Sequence, residues 1–199
     1  MERGVEGTNY ITFKGDHNSK DQMSRVSDSE TFLKSFKVPK LRDDFYLNIL
    51  DWSPNGFIAV ATGARIYSLS SSFSKFEPVY QEKLENYISS VNFSLYGRMA
   101  FGNSLGIVRV YDIESEKIIR EEKPHPARVA SLGWSFNCVA SGSKNGAVSI
   151  TDLRVKTEVL TYCCHSGEIC GLKWNHNHEF IATGSNDTKV VVFDLRKKK

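Results

Sequence analysis

The sequence predicts an all-β fold built from about four copies of one blade-like unit, forming an open arc or partial ring behind an unstructured N-terminal arm. Three observations carry this reading. From residue 37 to 195, short runs rich in Val, Ile, Phe and Tyr alternate with Gly, Asn, Ser and Pro, the signature of strands joined by tight turns. Four segments, at about residues 43–70, 86–113, 125–153 and 165–195, align on one another. Their aromatic anchors Trp52, Phe93, Trp134 and Trp174 recur at steps of 41, 41 and 40 residues, within the roughly 40–45 residue period of a four-stranded propeller blade.

Residues 1–36 differ from the rest. The stretch Gly15–Glu30 is made almost wholly of Ser, Asp, Asn, Lys and other polar residues, and it cannot bury enough apolar area to offset the entropy of ordering. The arm is expected to be disordered. Residues 196–199, Arg-Lys-Lys-Lys, form a short basic tail, expected to be a solvated chain end.

Within the repeats the detail sharpens toward the C-terminus. Closing aspartates recur at Asp112, Asp152 and Asp194, the last two each followed by Leu-Arg. In the fourth repeat, strands are expected at 169–174, 180–184 and 189–193, with a turn at 185–188. The continuous Val-Val-Val-Phe run at 190–193 suits a strand packed on both faces. His165, Thr183 and Asp187 stand where WD repeats place a buried polar relay, the aspartate accepting from the histidine and the histidine bonding the strand hydroxyl. Phe193 takes the place of the Trp that usually completes it. The third repeat keeps His125 and Ser141, with Asn145 replacing the aspartate and Thr151 the Trp. The first two repeats lack the relay.

Composition limits the function classes. The chain has 199 residues, 40% hydrophobic and 25% charged, with a net charge of +3. That balance gives no lead toward nucleic acid as a partner. No apolar run approaches the roughly 18 residues of a membrane span, and the first residues lack the apolar core of a secretory signal. The cysteines Cys138, Cys163, Cys164 and Cys170 are read as free thiols in a reducing compartment, nucleus and cytoplasm. Cys163, Cys164, His165, Cys170, His176 and His178 lack the paired spacing of a zinc site. There is no phosphate-binding loop and no nucleophile elbow. The expectation is a binding scaffold with no catalytic residue, no metal and no cofactor.

One segment narrows the reading. Phe36-Lys37-Val38-Pro39-Lys40-Leu41-Arg42-Asp43-Asp44-Phe45-Tyr46-Leu47-Asn48-Ile49-Leu50-Asp51-Trp52-Ser53 closely resembles the start of the propeller in the fizzy and fizzy-related activators of the anaphase-promoting complex. Residues 87–91, 125–134 and 165–174 resemble the same family in the same order. The family has seven-bladed propellers, so this chain is expected to be a fragment or truncated product forming an open arc. The resemblance implies an adaptor that docks on the anaphase-promoting complex and holds short degradation motifs of cell-cycle substrates.

On that analogy Asp44 and Asn186 face the channel mouth and contact a Lys-Glu-Asn type motif. The plainer alternative is that Asp44 caps a turn and Asn186 adopts a left-handed turn conformation. Arg128 either lines a groove between two blades or bridges them. Near the N-terminus, Tyr10, Ile11 and Lys14 match part of the ligase-docking C box, which has lost its acid, its first arginine and its proline. The rival reading is a WD-repeat scaffold or structural subunit without ligase activation.

Overall fold

The computed structural model describes residues 10–14, 32–70, 76–82, 86–156 and 159–196. It divides into two compact units, residues 1–41 and 42–199. In the first, β1 (Tyr10–Lys14) pairs antiparallel with β2 (Phe32–Lys37), in the register Tyr10↔Lys37, Ile11↔Phe36, Thr12↔Ser35 and Lys14↔Phe32. The arm read as unstructured therefore contains a strand pair. The polar stretch Gly15–Glu30, on which the expectation rested, lies outside the described residues; Tyr-Ile-Thr-Phe and Phe-Leu-Lys-Ser-Phe on either side of it are rich in aromatic and β-branched residues, which favour extended pairing.

The second unit consists of four antiparallel meanders, each in chain order from an inner to an outer strand. The first holds β3 (Leu50–Trp52), β4 (Ile58–Thr62), β5 (Arg65–Leu69) and β6 (Phe76–Gln81). The second holds β7 (Ile88–Phe93), β8 (Arg98–Asn103), β9 (Val108–Asp112) and β10 (Lys117–Glu122). The third holds β11 (Val129–Ser135), β12 (Cys138–Ser143), β13 (Ala147–Asp152) and β14 (Val159–Cys163). The fourth has three strands among the described residues, β15 (Ile169–Trp174), β16 (Phe180–Ser185) and β17 (Val190–Asp194). The inner strands β3, β7, β11 and β15 lie side by side, so the four sheets stand as successive blades of a propeller arc.

The hydrophobic cores lie between blades. Ala61 and Ile66 of the first meet Ile88, Val91, Met99 and Phe101 of the second. Ala100 and Val110 of the second meet Val129 and Leu132 of the third. Val148 and Ile150 of the third meet Ile169 and Ile181 of the fourth. Two glycines set how closely the sheets approach. A Cβ on Gly102 would sit 2.4 Å from the Val129 Cβ, and one on Gly142 would sit 2.6 Å from the Ile169 Cγ2. Val129 and Ile169, which begin β11 and β15, are thus each seated over a glycine in the preceding blade, where any side chain would collide.

The aromatic anchors serve a second purpose. Trp134 Nε1 donates to the Asn92 carbonyl at 3.0 Å, and Trp174 Nε1 to the Gly133 carbonyl at 3.3 Å. Each indole thereby ties its inner strand to the blade before. Phe93 has no such donor, and there Asp51 of β3 takes over. Its carboxylate accepts from the Phe93 amide at 2.6 Å and from Asn92 Nδ2 at 3.1 Å.

The structure corrects the expectation for the Val-Val-Val-Phe run. Phe193 packs against Tyr162 of the third blade, with ring centroids 5.5 Å apart, while Val190 and Val192 are 75% and 61% exposed. Successive residues of a strand face opposite ways, so one face of β17 is covered and the other is open among the described residues.

Candidate functional site

The fourth-blade relay forms as its sequence implies. His165 Nδ1 lies 3.0 Å from Asp187 Oδ2, and His165 Nε2 lies 2.9 Å from Thr183 Oγ1. An ionised carboxylate only accepts, so the Nδ1 facing Asp187 carries a proton. Asp187 also accepts from the Ser166 amide and the Lys189 amide, both at 3.0 Å. Burial alone would raise the Asp187 pKa, but these amides and His165 hold it below its ordinary value. The third-blade relay is half complete. His125 Nε2 meets Ser141 Oγ at 2.8 Å, whereas its buried Nδ1 has no partner. Asn145 Oδ1 is instead turned to the Ala147 amide at 3.4 Å. Burial pushes the His125 pKa down to about 4.

The second blade replaces the relay with ions, which sequence reasoning missed. Buried Glu82 accepts from Asn103 Nδ2 at 2.8 Å and from Arg109 Nη1, while Arg109 Nε donates to Glu121 at 2.6 Å. Tyr80 donates to Glu82 at 3.3 Å, and burial pushes its phenol pKa up to about 12, helped by the Glu82 charge. These residues match no WD motif, so only their burial reveals them.

A second ion cluster crosses from blade to blade. Tyr87, Arg128 and Glu168 each stand immediately before an inner strand, those beginning at Ile88, Val129 and Ile169. The fold therefore brings three unlike residues to one end of three adjacent blades. Arg128 closes a fork on Glu168, with Nε to Oε1 at 2.6 Å and Nη2 to Oε2 at 2.8 Å. Its Nη1 donates to Asp44 Oδ2 at 2.7 Å, and the Tyr87 hydroxyl lies 3.4 Å away. The same guanidinium stands 5.6 Å from the Tyr46 ring centre, and Arg42 stacks on the Tyr87 ring at 4.0 Å. Arg128 is held in its charged form chiefly by Glu168. For Asp44, burial acts upward, but the Tyr46 amide, Arg128 and Arg42 bring its pKa below the ordinary value.

The residues proposed from sequence fall around this cluster. Asp44 does cap a turn, accepting the Tyr46 amide at 3.0 Å through Oδ1, while its other oxygen faces Arg128. Arg128 bridges blades. Asn186 is exposed, and its amide donates to the Glu168 carbonyl at 3.1 Å. Its Oδ1 is so close to Gly167 that a Cβ there would lie 1.9 Å away. The left-handed residue of its turn is Thr188, at φ 70°, and not Asn186. Glu168, the hub of the cluster, was not singled out from sequence; the repeat position it shares with Tyr87 and Arg128 is the signal that locates it. Tyr10, Ile11 and Lys14 belong to β1 in the other unit, and Thr8 and Asn9 of the same stretch lie outside the described residues.

A polar recess of about 230 Å³ opens among the inner strands, lined by residues that include Asn48, Asp51, Asn92 and Ser131. Asn48 reaches across its rim, donating through Nδ2 to the carbonyls of Ala130 at 2.6 Å and Cys170 at 3.3 Å. A more apolar cleft of about 280 Å³, lined by Phe57, Phe93, Met99 and Tyr111 among others, lies between the first two blades. It is at the far ends of the strands from the ion cluster. The arrangement around Arg128 suits an extended peptide that crosses blade tops and offers charged and amide groups.

Blade geometry, inter-blade cores and the His165 relay together define a WD-repeat β-propeller arc. The WD domain, G-beta repeat, matches residues 156–194. Meiotic fizzy-related protein 1 of Schizosaccharomyces pombe is 34% identical over 177 residues, covering 85% of this chain and 41% of that protein. Anaphase-promoting complex subunit cdc20 of Dictyostelium discoideum is 33% identical over 164 residues, covering 81% of this chain and 33% of that one. Among solved structures, a chain in the crystal structure of a mitotic checkpoint complex superposes with a TM-score of 0.80 at 31% identity, covering 90% of this chain and 58% of that chain. Over most of its length the chain is similar to the fizzy and fizzy-related WD-repeat proteins. It spans 41% and 33% of the length of these two relatives.

Proposed function

We propose that this chain serves as a non-catalytic substrate adaptor of the anaphase-promoting complex in the nucleus and cytoplasm, holding short degradation motifs of cell-cycle proteins at the Asp44–Arg128–Glu168 end of its blades. The observation that carries the reading is that cluster. Asp44 is an ionised carboxylate already seated against a cation, and the exposed Asn186 is tied through its backbone N–H to the carbonyl of Glu168, whose side chain shares Arg128 with Asp44. A lysine and an amide or backbone group of an extended motif match these two acceptor and donor positions. The family resemblance supplies the ligase, and Tyr10, Ile11 and Lys14 are the residues proposed to dock on it.

A second reading, a WD-repeat scaffold without ligase activation, is favoured by the same N-terminal stretch. Lys14 stands where the C box carries an arginine, and lysine does not reproduce a two-point guanidinium contact. Capture of purified anaphase-promoting complex by the full chain, beside a Tyr10→Ala/Ile11→Ala variant, separates the two. Capture that is lost in the variant supports the adaptor. No capture by the unmodified chain leaves the scaffold.

A further inference from the structure

The Arg128 guanidinium occupies the position at Asp44 that an incoming cation would need. We propose that Arg128 is an internal competitor, that Glu168 positions it, and that this end of the arc takes a single cationic side chain by exchange at Asp44. This rests on the reading that the face binds an extended peptide.

The geometry separates the two carboxylates by role. Glu168 holds the guanidinium with two parallel hydrogen bonds, the strongest arrangement available to an arginine. Its side chain is 5% exposed, against 12% for Arg128 and 25% for Asp44. Asp44 binds the same guanidinium through one nitrogen only, and it is the more open partner. A lysine ammonium approaching from solvent therefore reaches Asp44 and displaces Nη1, while the fork to Glu168 keeps Arg128 in place. The exchange trades one charge-assisted hydrogen bond for another. No buried charge is stranded, because Arg128 retains Glu168 and Asp44 gains the ammonium.

Two consequences of opposite sign follow. Removing the guanidinium frees Asp44 and strengthens cation binding. Neutralising Glu168 leaves the positive charge of Arg128 uncompensated beside Asp44 and weakens it. If Arg128 instead served as a direct contact for an acidic group of the peptide, its removal would weaken binding.

The test uses two probes with the full chain, a short Lys-Glu-Asn peptide and Nα-acetyl-lysine methylamide, which offers the cation alone. Binding is followed by the NMR shift of the Asp44 carboxyl carbon. Arg128→Gln leaves two carboxylates facing each other, so the double variant Arg128→Gln/Glu168→Gln is measured beside it to guard against failure to fold. The double variant is expected to bind the lysine amide about three- to tenfold more tightly than the unmodified chain, and Glu168→Gln alone more weakly, since the contact that no longer has to be displaced is a single, partly exposed one. Unchanged or weaker binding of the lysine amide by the double variant overturns the proposal, whatever the peptide does. Tighter binding of the lysine amide by a chain that never binds the peptide upholds the exchange site and removes the degradation-motif reading instead.

Discussion

Arg128 and Glu168, 40 residues apart and on adjacent blades, form a two-point ion pair at 2.6 and 2.8 Å. The pair sits at equivalent positions of two repeats, each one residue before an inner strand. Through Arg128 it extends to Tyr87 on the second blade and to Asp44 ahead of the first. One guanidinium thus links all four blades at one end of the arc, where Asn48 also crosses to the inner strands of the third and fourth.

Glu168→Ala leaves Arg128 without its main partner in a mostly buried position. Loss of one member of such a pair costs about 3 kcal/mol or somewhat less at partial exposure. Urea unfolding is expected to show a lower midpoint, with Glu168→Gln intermediate because it keeps one acceptor.

His125 gives the stability a distinct pH dependence. Its folded pKa, about 4, lies below the ordinary histidine value near 6.5. Between those values the unfolded chain binds a proton that the folded chain refuses, so stability falls as pH drops through this window. Asn145→Asp places a carboxylate where Asp187 serves His165, giving Nδ1 a partner and favouring the charged ring. The variant is expected to gain about 1 kcal/mol from the added bond and to lose less stability between pH 6.5 and 4, as read from thermal midpoints across that range.

The glycines of successive blades are expected to respond unequally. Gly142→Ala drives a Cβ into Ile169 and should cost about 1–3 kcal/mol by overpacking. Nothing lies within 4 Å of the same addition at Gly184, so Gly184→Ala should change stability by no more than about 0.5 kcal/mol. Parallel denaturation of the two variants checks this.

Much of the fold was legible because propeller blades repeat their constraints. Trp52, Phe93, Trp134 and Trp174 mark the ends of the four inner strands, and the indoles of Trp134 and Trp174 tie blade to blade. The His165 relay was legible because its residue types are specific to the turn they hold. The Glu82–Arg109 cluster was not, since a buried ion pair can be built from many sequence positions and leaves no spacing rule. Glu168 escaped notice for a related reason: Tyr87, Arg128 and Glu168 share a position but not a chemistry, and only the folded arc brings them together. The β1–β2 pair was hidden by the polar stretch that separates its strands, and the open face of β17 by a run of valines that suits burial on both sides.

The most direct measurement is the affinity of the full chain for a short Lys-Glu-Asn peptide, by titration calorimetry, beside Asp44→Asn. Binding that weakens about tenfold or more in the variant, as loss of a charge-assisted contact requires, is the result expected if this end of the arc holds a degradation motif. Absence of binding, or equal binding by Asp44→Asn, would contradict it.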